Sequence, residues 1–552
     1  MKFKWKKTEN CFAEARTYEY ELPITGQELS VRLEGFEVKE NHSFRRPVFS
    51  AKKGGLEVKG ILKEKVVKIN YTADNWETEK EQMEKWMEDQ EIYISEPGES
   101  ICPQCLKVLP AGKVEREDGI YLVKECPEHG KFEALIWEGS LESYQAWGKT
   151  ILPPDSVPAA LPQKKGCPLD CGLCENHQRR GCCVLLEVTG RCNLQCPTCF
   201  AGSGPKGRDV PFEELEKQMR YLMEHGGPFN LQLSGGEPTV REDLEDILRL
   251  GKDLGFTFFQ LNTNGIHLAE EPGYAEKLKK AGLSCVFLQF DGLKDSVYQV
   301  LRGRPLLEIK KKAIDACEKA GLGVVLVPVI APGVNEDQTG DILLYAKSRM
   351  PAVRGVHFQP VSYFGRCSEP AGSYRITIPK MLALMEEQTG GWIHAGDFTG
   401  GGATNPYCTF QANYLKQKDG SMKLLAHGEP RASGASEQAR DFVARQWSGT
   451  DDCCCQKADQ KVSCCGEKPR EETCCCGGST AGLTLDTSSL DEFLEEMHRN
   501  TLAVSGMLFQ DAWNLELDRL RRCYILETDS RYGMVPFCIY NLTGSDGRTL
   551  YR

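Results

Sequence analysis

The 552 residues of the chain allow a large core with two or more accessory modules, and 40% hydrophobic with 9% aromatic residues is the composition of a globular protein. With 68 basic against 79 acidic residues, a net charge of −11, it is poorly matched to nonspecific binding of nucleic acid or of an anionic membrane. The basic start MKFKWKKTEN is followed by no apolar segment, and no apolar run approaches the ~18 residues of a spanning helix, so neither a signal peptide, an anchor nor a membrane span is expected.

The 26 cysteines are grouped along the chain. Disulfide scaffolds are small exported domains short of core. This chain is long, and it reads as cytoplasmic and reducing, with cysteines that bind metal.

Residues 1–95 read as a small α+β module. YEYELPITG and KEKVVKINYTAD have the composition of strands, and NWETEKEQMEKWMEDQE that of an acidic helix. Residues 96–150 hold CPQC and, after a strand-like DGIYLVKE, CPEH. Two such knuckles form a zinc-ribbon or rubredoxin-like site in which Cys102, Cys105, Cys126 and His129 hold one zinc or iron ion. Over 160–183, CPLDCGLCENHQRRGCC supplies Cys167, Cys171 and Cys174 to an auxiliary iron–sulfur segment. Its fourth ligand is Cys182 or Cys183, or else His177.

From 182 to 365 the pattern changes. CCVLLEVT (182–189), NLQLSG (230–235), FTFFQLNTN (256–264), SCVFLQFDG (284–292), GVVLVPVI (323–330) and GVHFQPVS (355–362) are candidate strands, separated by helix-like stretches such as PLLEIKKKAIDACEKAG. Apolar strands alternating with helices are βα units of a buried parallel sheet, so the expected fold class is α/β, a partial (β/α)6 barrel. In such folds chemistry gathers on the loops leaving the C-terminal ends of strands. GRCNLQCPTCFAG follows the first strand, SGGEP the second and NTNG the third, while QFDG ends the fourth, so four polar signatures share one rim. Cys192, Cys196 and Cys199 are three soft ligands where a closed tetrahedral site wants four and a disulfide two. One position is left for something else.

Beyond the barrel, 366–450 and 483–552 read as a C-terminal domain. Between them, 451–482 sets eight cysteines among Gly, Lys, Glu and Ser with almost no apolar residues. Such a stretch cannot bury a core and is expected to be disordered unless it binds a soft metal or metalloid, a cluster precursor or substrate sulfur.

CxxxCxxC after the first strand of a βα barrel, followed by a GGEP motif, resembles the radical S-adenosylmethionine (radical SAM) enzymes. That resemblance implies that Cys192, Cys196 and Cys199 hold a 4Fe–4S cluster whose open iron chelates SAM. It further implies that Gly235, Gly236 and Glu237 meet the methionine amino group, that Asn264, Gln289 and Asp291 make further cofactor contacts, and that Arg302 pairs with the cofactor carboxylate. Reductive cleavage of SAM in this family yields a 5′-deoxyadenosyl radical that activates a C–H bond. Together with CPxC…CPEHG, CPxDCGxC and the C-terminal GMLFQDAWNLELDRLRRCYILE and VPFCIYNLTGSDGRTLYR, the chain is similar to large multi-cluster members of the superfamily, the tetraether lipid synthases and pterin methylases. This likeness spans roughly 100–365, 400–440 and 500–552, and it implies a further cluster on Cys408, Cys523 and Cys538, hence one or two auxiliary 4Fe–4S clusters.

The implied reaction is methyl or methylene transfer or carbon–carbon coupling on an unidentified small-molecule, lipid or peptide substrate. A flavodoxin or ferredoxin would be the electron donor, in an anaerobic cell. A peptide-modifying maturase is the alternative. A non-catalytic iron–sulfur or metal carrier would have no use for GGEP and NTNG beside an incompletely ligated cluster, and a nucleic-acid role lacks a basic stripe.

Overall fold

The apolar runs of the middle third form the expected parallel sheet: β1 (Cys183–Thr189), β2 (Asn230–Gly235), β3 (Phe259–Thr263), β4 (Cys285–Gln289), β5 (Gly323–Val327) and β6 (Val353–Pro360) pair in sequence order. Leu186, Leu233, Leu261, Val286, Val324 and Val353 lie in register from strand to strand, and all six are fully buried. Their burial on the outward face is why the strands read as apolar runs. The computed structural model describes residues 3–8, 16–89, 93–95, 97–149, 164–172, 174–367, 375–401, 405–425, 435–449 and 496–552. The cysteine-rich stretch 451–482 lies outside the described residues.

Two further strands extend the sheet beyond the six expected. β7 (Thr501–Met507) runs parallel to β6, with Val356 opposite Val504, and β8 (Ile525–Asp529) runs parallel to β1, with Val184 opposite Leu526. The order is therefore β7-β6-β5-β4-β3-β2-β1-β8, and antiparallel strands Thr409–Lys416 and Gly533–Pro536 flank its two ends. What the sequence presents as a separate C-terminal domain thus completes the sheet at both edges.

The inward face is polar where a filled barrel would be apolar. Asn230, Gln232 and Ser234 of β2, Asn262 of β3, Gln289 of β4 and His357 and Gln359 of β6 line a cavity of about 330 Å3. Beneath it, at the N-terminal end of the strands, lies the helix Ala435–Trp447. Asn230 Nδ2 donates to the Arg440 carbonyl (2.9 Å) and Arg354 Nε to that of Gln446 (3.2 Å). The result is a lumen with a reactive rim above and a helical floor below.

Residues 1–97 with 112–117 form a compact unit of their own. Its six antiparallel strands run in the order Lys4–Lys7, Thr17–Glu21, Val66–Tyr71, Leu56–Ile61, Val48–Lys53, Glu37–Asn41. Tyr20, Phe49, Ile69, Tyr71 and Met87 of the helix Trp76–Asp89 are buried in its core. In the other unit, residues 98–101 pair with 108–111 and Gly119–Cys126 with Gly130–Glu138, giving the two hairpins that carry the knuckles. Among the described residues no helix is long and apolar enough to cross a membrane.

Candidate active site

The loop after β1 carries Cys192, Cys196 and Cys199, all partly exposed and all lining the cavity. It is held from several sides. Arg191 donates from Nε and Nη2 to Asp209 (2.8 and 2.7 Å), the Cys192 N–H donates to the Gly204 carbonyl (3.0 Å), and Cys199 exchanges backbone hydrogen bonds with Arg366. The Arg366 guanidinium then reaches the carbonyls of Cys196 (2.7 Å), Gly202 (3.2 Å) and Ser203 (2.9 Å). Burial, with Glu237 and the two other cysteines nearby, pushes the Cys192 thiol up to about 12. A thiol so placed becomes a thiolate only beside a cation, and three such sulfurs on one loop facing open space fit a cluster with an unligated iron.

The two glycines of SGGEP allow this loop to dock. Gly235 has φ +111°, and a Cβ there would stand 2.2 Å from the Thr189 carbonyl oxygen; a Cβ on Gly236 would stand 2.1 Å from that of Arg191. The Gly236 and Glu237 N–H groups donate to those same carbonyls (2.7 and 2.8 Å). The close backbone approach expected toward a ligand is thus made first to the cysteine loop itself. Glu237 is buried. Its Oε1 accepts from Thr239 Oγ1 (2.7 Å), the Thr239 N–H (3.2 Å) and Thr263 Oγ1 (2.6 Å), and its Oε2 accepts from the Asn264 N–H (2.7 Å). An ammonium would share Oε2, the oxygen with acceptor capacity left. Asn264 Nδ2 donates to Asn193 Oδ1 (2.7 Å), tying the end of β3 to the cysteine loop.

One cofactor contact implied by the resemblance needs correction. Asp291 is fully buried and does not line the cavity. Its carboxylate accepts from Arg302 Nε and Nη2 (2.7 and 2.9 Å), the Val329 N–H (3.1 Å) and Gln289 Nε2. Arg302 lines the cavity beside Cys196, with Nε and Nη2 on Asp291, because a cation taken from water must find an internal anion. Gln289 and Asn264 remain as cavity-lining amides.

At the floor, Phe287 and Trp447 lie 4.8 Å apart between ring centroids, and His357 lies 5.8 Å from Phe287. His357 Nδ1 is 2.9 Å from Ser505 Oγ, and burial lowers the ring to about 4. Cys182 and Cys183 also line this end of the lumen.

The remaining cysteines fall into three sets. Cys102, Cys105, Cys126 and His129 bring their ligand atoms within 4.8 Å of one another. Cys126 is drawn down to about 6: burial opposes this, and the Glu128 N–H and the His129 ring outweigh it. Cys167, Cys171 and Cys174 also group together, and the Cys171 N–H donates to the Tyr551 hydroxyl (2.8 Å). Cys182 does not join them. It sits beside Cys183 with Cys523 close by, because as the residue preceding β1 it is committed to the sheet. The His177 N–H donates to the Cys174 carbonyl (2.9 Å), and its Nε2 is buried without a hydrogen-bond partner among the described residues. Cys408, Cys523 and Cys538 line one small cavity, where Arg519 Nη2 donates to Cys408 Sγ (3.2 Å) and the Gln510 N–H to Cys538 Sγ (3.3 Å).

Arg366 and Lys310 were missed in the sequence. Arg366 follows the sixth strand, so the strand-end rule pointed at its loop. Lys310 is buried on the apolar stripe of a helix, a signal hidden inside the run KKK.

The sequence is similar to known proteins. Residues 186–346 match the radical SAM superfamily and residues 94–138 match the HMPTM N-terminal zinc ribbon domain. The chain is 35% identical over 469 residues to the 7,8-dihydro-6-hydroxymethylpterin dimethyltransferase of Methanocaldococcus jannaschii, covering 80% of this chain and 92% of that one. It is 30% identical over 191 residues to the GTP 3′,8-cyclase of Nautilia profundicola, covering 34% of this chain and 59% of the cyclase. Among solved structures, Streptococcus suis SuiB bound to its precursor peptide SuiA matches with a TM-score of 0.33 at 17% identity, over 39% of this chain and 46% of that one. The chain is a radical SAM enzyme, and within that superfamily it belongs to the zinc-ribbon-bearing family of the 7,8-dihydro-6-hydroxymethylpterin dimethyltransferase.

Proposed function

We propose that this enzyme transfers a one-carbon unit from SAM to a carbon of a flat, nitrogen-rich heterocycle of the pterin class. The observation that carries this reading is a likeness over 80% of the chain to a pterin dimethyltransferase, joined to a lumen that opens on three cysteines and is lined by amides and aromatic rings. Cys192, Cys196 and Cys199 hold a 4Fe–4S cluster, and the ends of β2, β3 and β4 hold SAM. When bound, this pair would supply a carbon-centred radical, and because the first SAM leaves as methionine with its methyl in place, the transferred carbon would come from a second SAM.

The chain's own residues supply the rest. Arg366 and Asp209 keep the cysteine loop in one conformation. Glu237 Oε2 accepts from the cofactor's ammonium, and Asn264 and Gln289 present amides to its polar edge. Deeper in the lumen, Gln232, Asn262 and Gln359 offer donors and acceptors to ring nitrogens and carbonyls, while Phe287 and Trp447 offer faces for stacking. His357, neutral at physiological pH, adds a ring without adding charge. The floor helix and the apolar residues around it keep water from a reactive intermediate. Cys167, Cys171 and Cys174 form one auxiliary cluster site and Cys408, Cys523 and Cys538 a second; a flavodoxin or ferredoxin delivers the electron.

Anaerobically reconstituted enzyme, given a reductant, 7,8-dihydro-6-hydroxymethylpterin and SAM labelled in its methyl group, tests the proposal by mass spectrometry. Label in the pterin supports it. Cleavage of SAM with no label in the pterin rejects this transfer.

A further inference from the structure

Asn264 and Gln289 stand at the ends of different strands, and one side chain joins them. Lys310, on the helix Leu307–Lys319, donates from Nζ to the backbone carbonyl of Asn264 (2.5 Å) and to Gln289 Oε1 (2.7 Å). The buried residues of this helix are Lys310, Ala313, Ile314 and Cys317. That spacing is an apolar stripe, so an amine occupies a position where leucine or methionine would be ordinary.

The bonds continue past both partners. Asn264 Nδ2 reaches Asn193 on the cysteine loop (2.7 Å), and Gln289 Nε2 reaches Asp291, which holds Arg302 beside Cys196. Lys310 is thus the link that closes a polar chain from one side of the cysteine loop to the other.

We propose that Lys310 is a positioning residue for SAM, fixing the spacing between the two strand ends whose amides grip the cofactor. The proposal rests on the reading that this rim is the SAM site. With an apolar side chain in its place, the Asn264 carbonyl and Gln289 Oε1 would lose their donor inside a dry wall, and the strand ends would shift or admit water to recover it. Burial draws the Lys310 amine down to about 7, against the upward pull of Asp291. An amine kept at a site so unfavourable to its charge is doing something packing alone does not require.

Equilibrium binding of radiolabelled SAM to anaerobically reconstituted full-length protein tests the role, with iron per chain and turnover measured in parallel. Lys310→Met is expected to raise the Kd and KM for SAM by roughly tenfold or more, with iron content unchanged and kcat at saturating SAM nearly preserved. Lys310→Arg, which keeps the donors, is expected to recover much of the affinity, and Lys310→Gln to fall between. Lys310→Met binding SAM as the parent does would overturn the role. So would iron loss in step with SAM affinity, or an arginine variant no better than methionine. A parent protein that holds its iron yet retains no SAM would overturn the reading of the rim itself.

Discussion

The zinc ribbon brings Cys102, Cys105, Cys126 and His129 within 4.8 Å of one another on two hairpin knuckles, whereas the loop after β1 offers three cysteines to a cavity of about 330 Å3. Both sets are soft donors on short loops, and both are fastened by backbone hydrogen bonds. They differ in what lies on the remaining side. In the ribbon a fourth protein ligand would close the coordination sphere, so an ion held there could organise the fold and do nothing else. At the rim that side is open space lined by amides, so a metal held there would keep a position for a small molecule. The contrast shows that ligand count carries meaning only together with what the neighbouring strands turn inward.

The sharpest way to break that contrast is to remove one ligand from each set. Cys196→Ala is expected to abolish SAM cleavage, read as loss of 5′-deoxyadenosine in anaerobic assays, and to lower bound iron while the ribbon keeps its metal. A Cys196→Ala protein that still cleaves SAM would mean that the rim loop holds no catalytic cluster. Arg366→Ala sharpens the same point one step further out. With its three carbonyl partners released, the loop should hold its cluster less firmly, and iron retention or activity should fall roughly 10- to 100-fold, as for other residues that orient metal ligands. Unchanged iron content and turnover would show that the loop is rigid without it.

Cys126→Ser is the counterpart in the ribbon. Metal should be lost from that site, and stability should fall by about 4 kcal/mol or more, because the free energy of binding a structural ion is folding free energy. The ribbon strands are tied to the segment that leads into β8, Ser100 Oγ donating to the Leu515 carbonyl (2.5 Å) and Lys124 Nζ to that of Ala512 (2.8 Å). A looser ribbon therefore lowers the melting temperature of the barrel. SAM cleavage per unit of folded, iron-loaded protein should nevertheless persist, and its disappearance would assign the ribbon a part in the chemistry.

How much of this could be read from the sequence follows from distance along the chain. The ribbon ligands, the cysteine trio and the six strands β1 to β6 are local patterns, each legible within a window of a few residues to a few tens. β7 and β8 are not: TLAVSGM and ILETD are short, and nothing near them says that they pair with β6 and β1 more than 140 residues away. The fate of Cys182 was hidden for the same reason, since its neighbour Cys523 comes from the far end of the chain. Asp291 and Arg302 both read as cofactor contacts through the resemblance, but that Asp291 lies behind the cavity wall, held by a bidentate ion pair to Arg302, is displayed only by the fold. Lys310 carried a readable signal, a cation at a core position, masked by two solvent-facing lysines beside it.

The smallest expected effect concerns the far end of the lumen, which the comparison requires to be dry. His357 lines the cavity beside Phe287, Trp447 and Ser505, partly buried, and the packing around it lowers its ring to about 4 from an ordinary 6.5. A group whose folded-state value lies below its unfolded value binds its proton more readily when unfolded, so stability is fully present above about pH 6.5 and is lost as pH falls toward 4. The shift corresponds to about 3 kcal/mol across that window. His357→Asn should cost about 1 kcal/mol at neutral pH, through lost packing and a weakened bond to Ser505, yet it should narrow that deficit or reverse it near pH 4.5. Denaturant unfolding of the two proteins at both pH values decides the matter, because acid effects elsewhere are shared and cancel in the difference. Parallel loss of stability in parent and variant would show that water already reaches His357, and that the lumen floor is as wet as the rim.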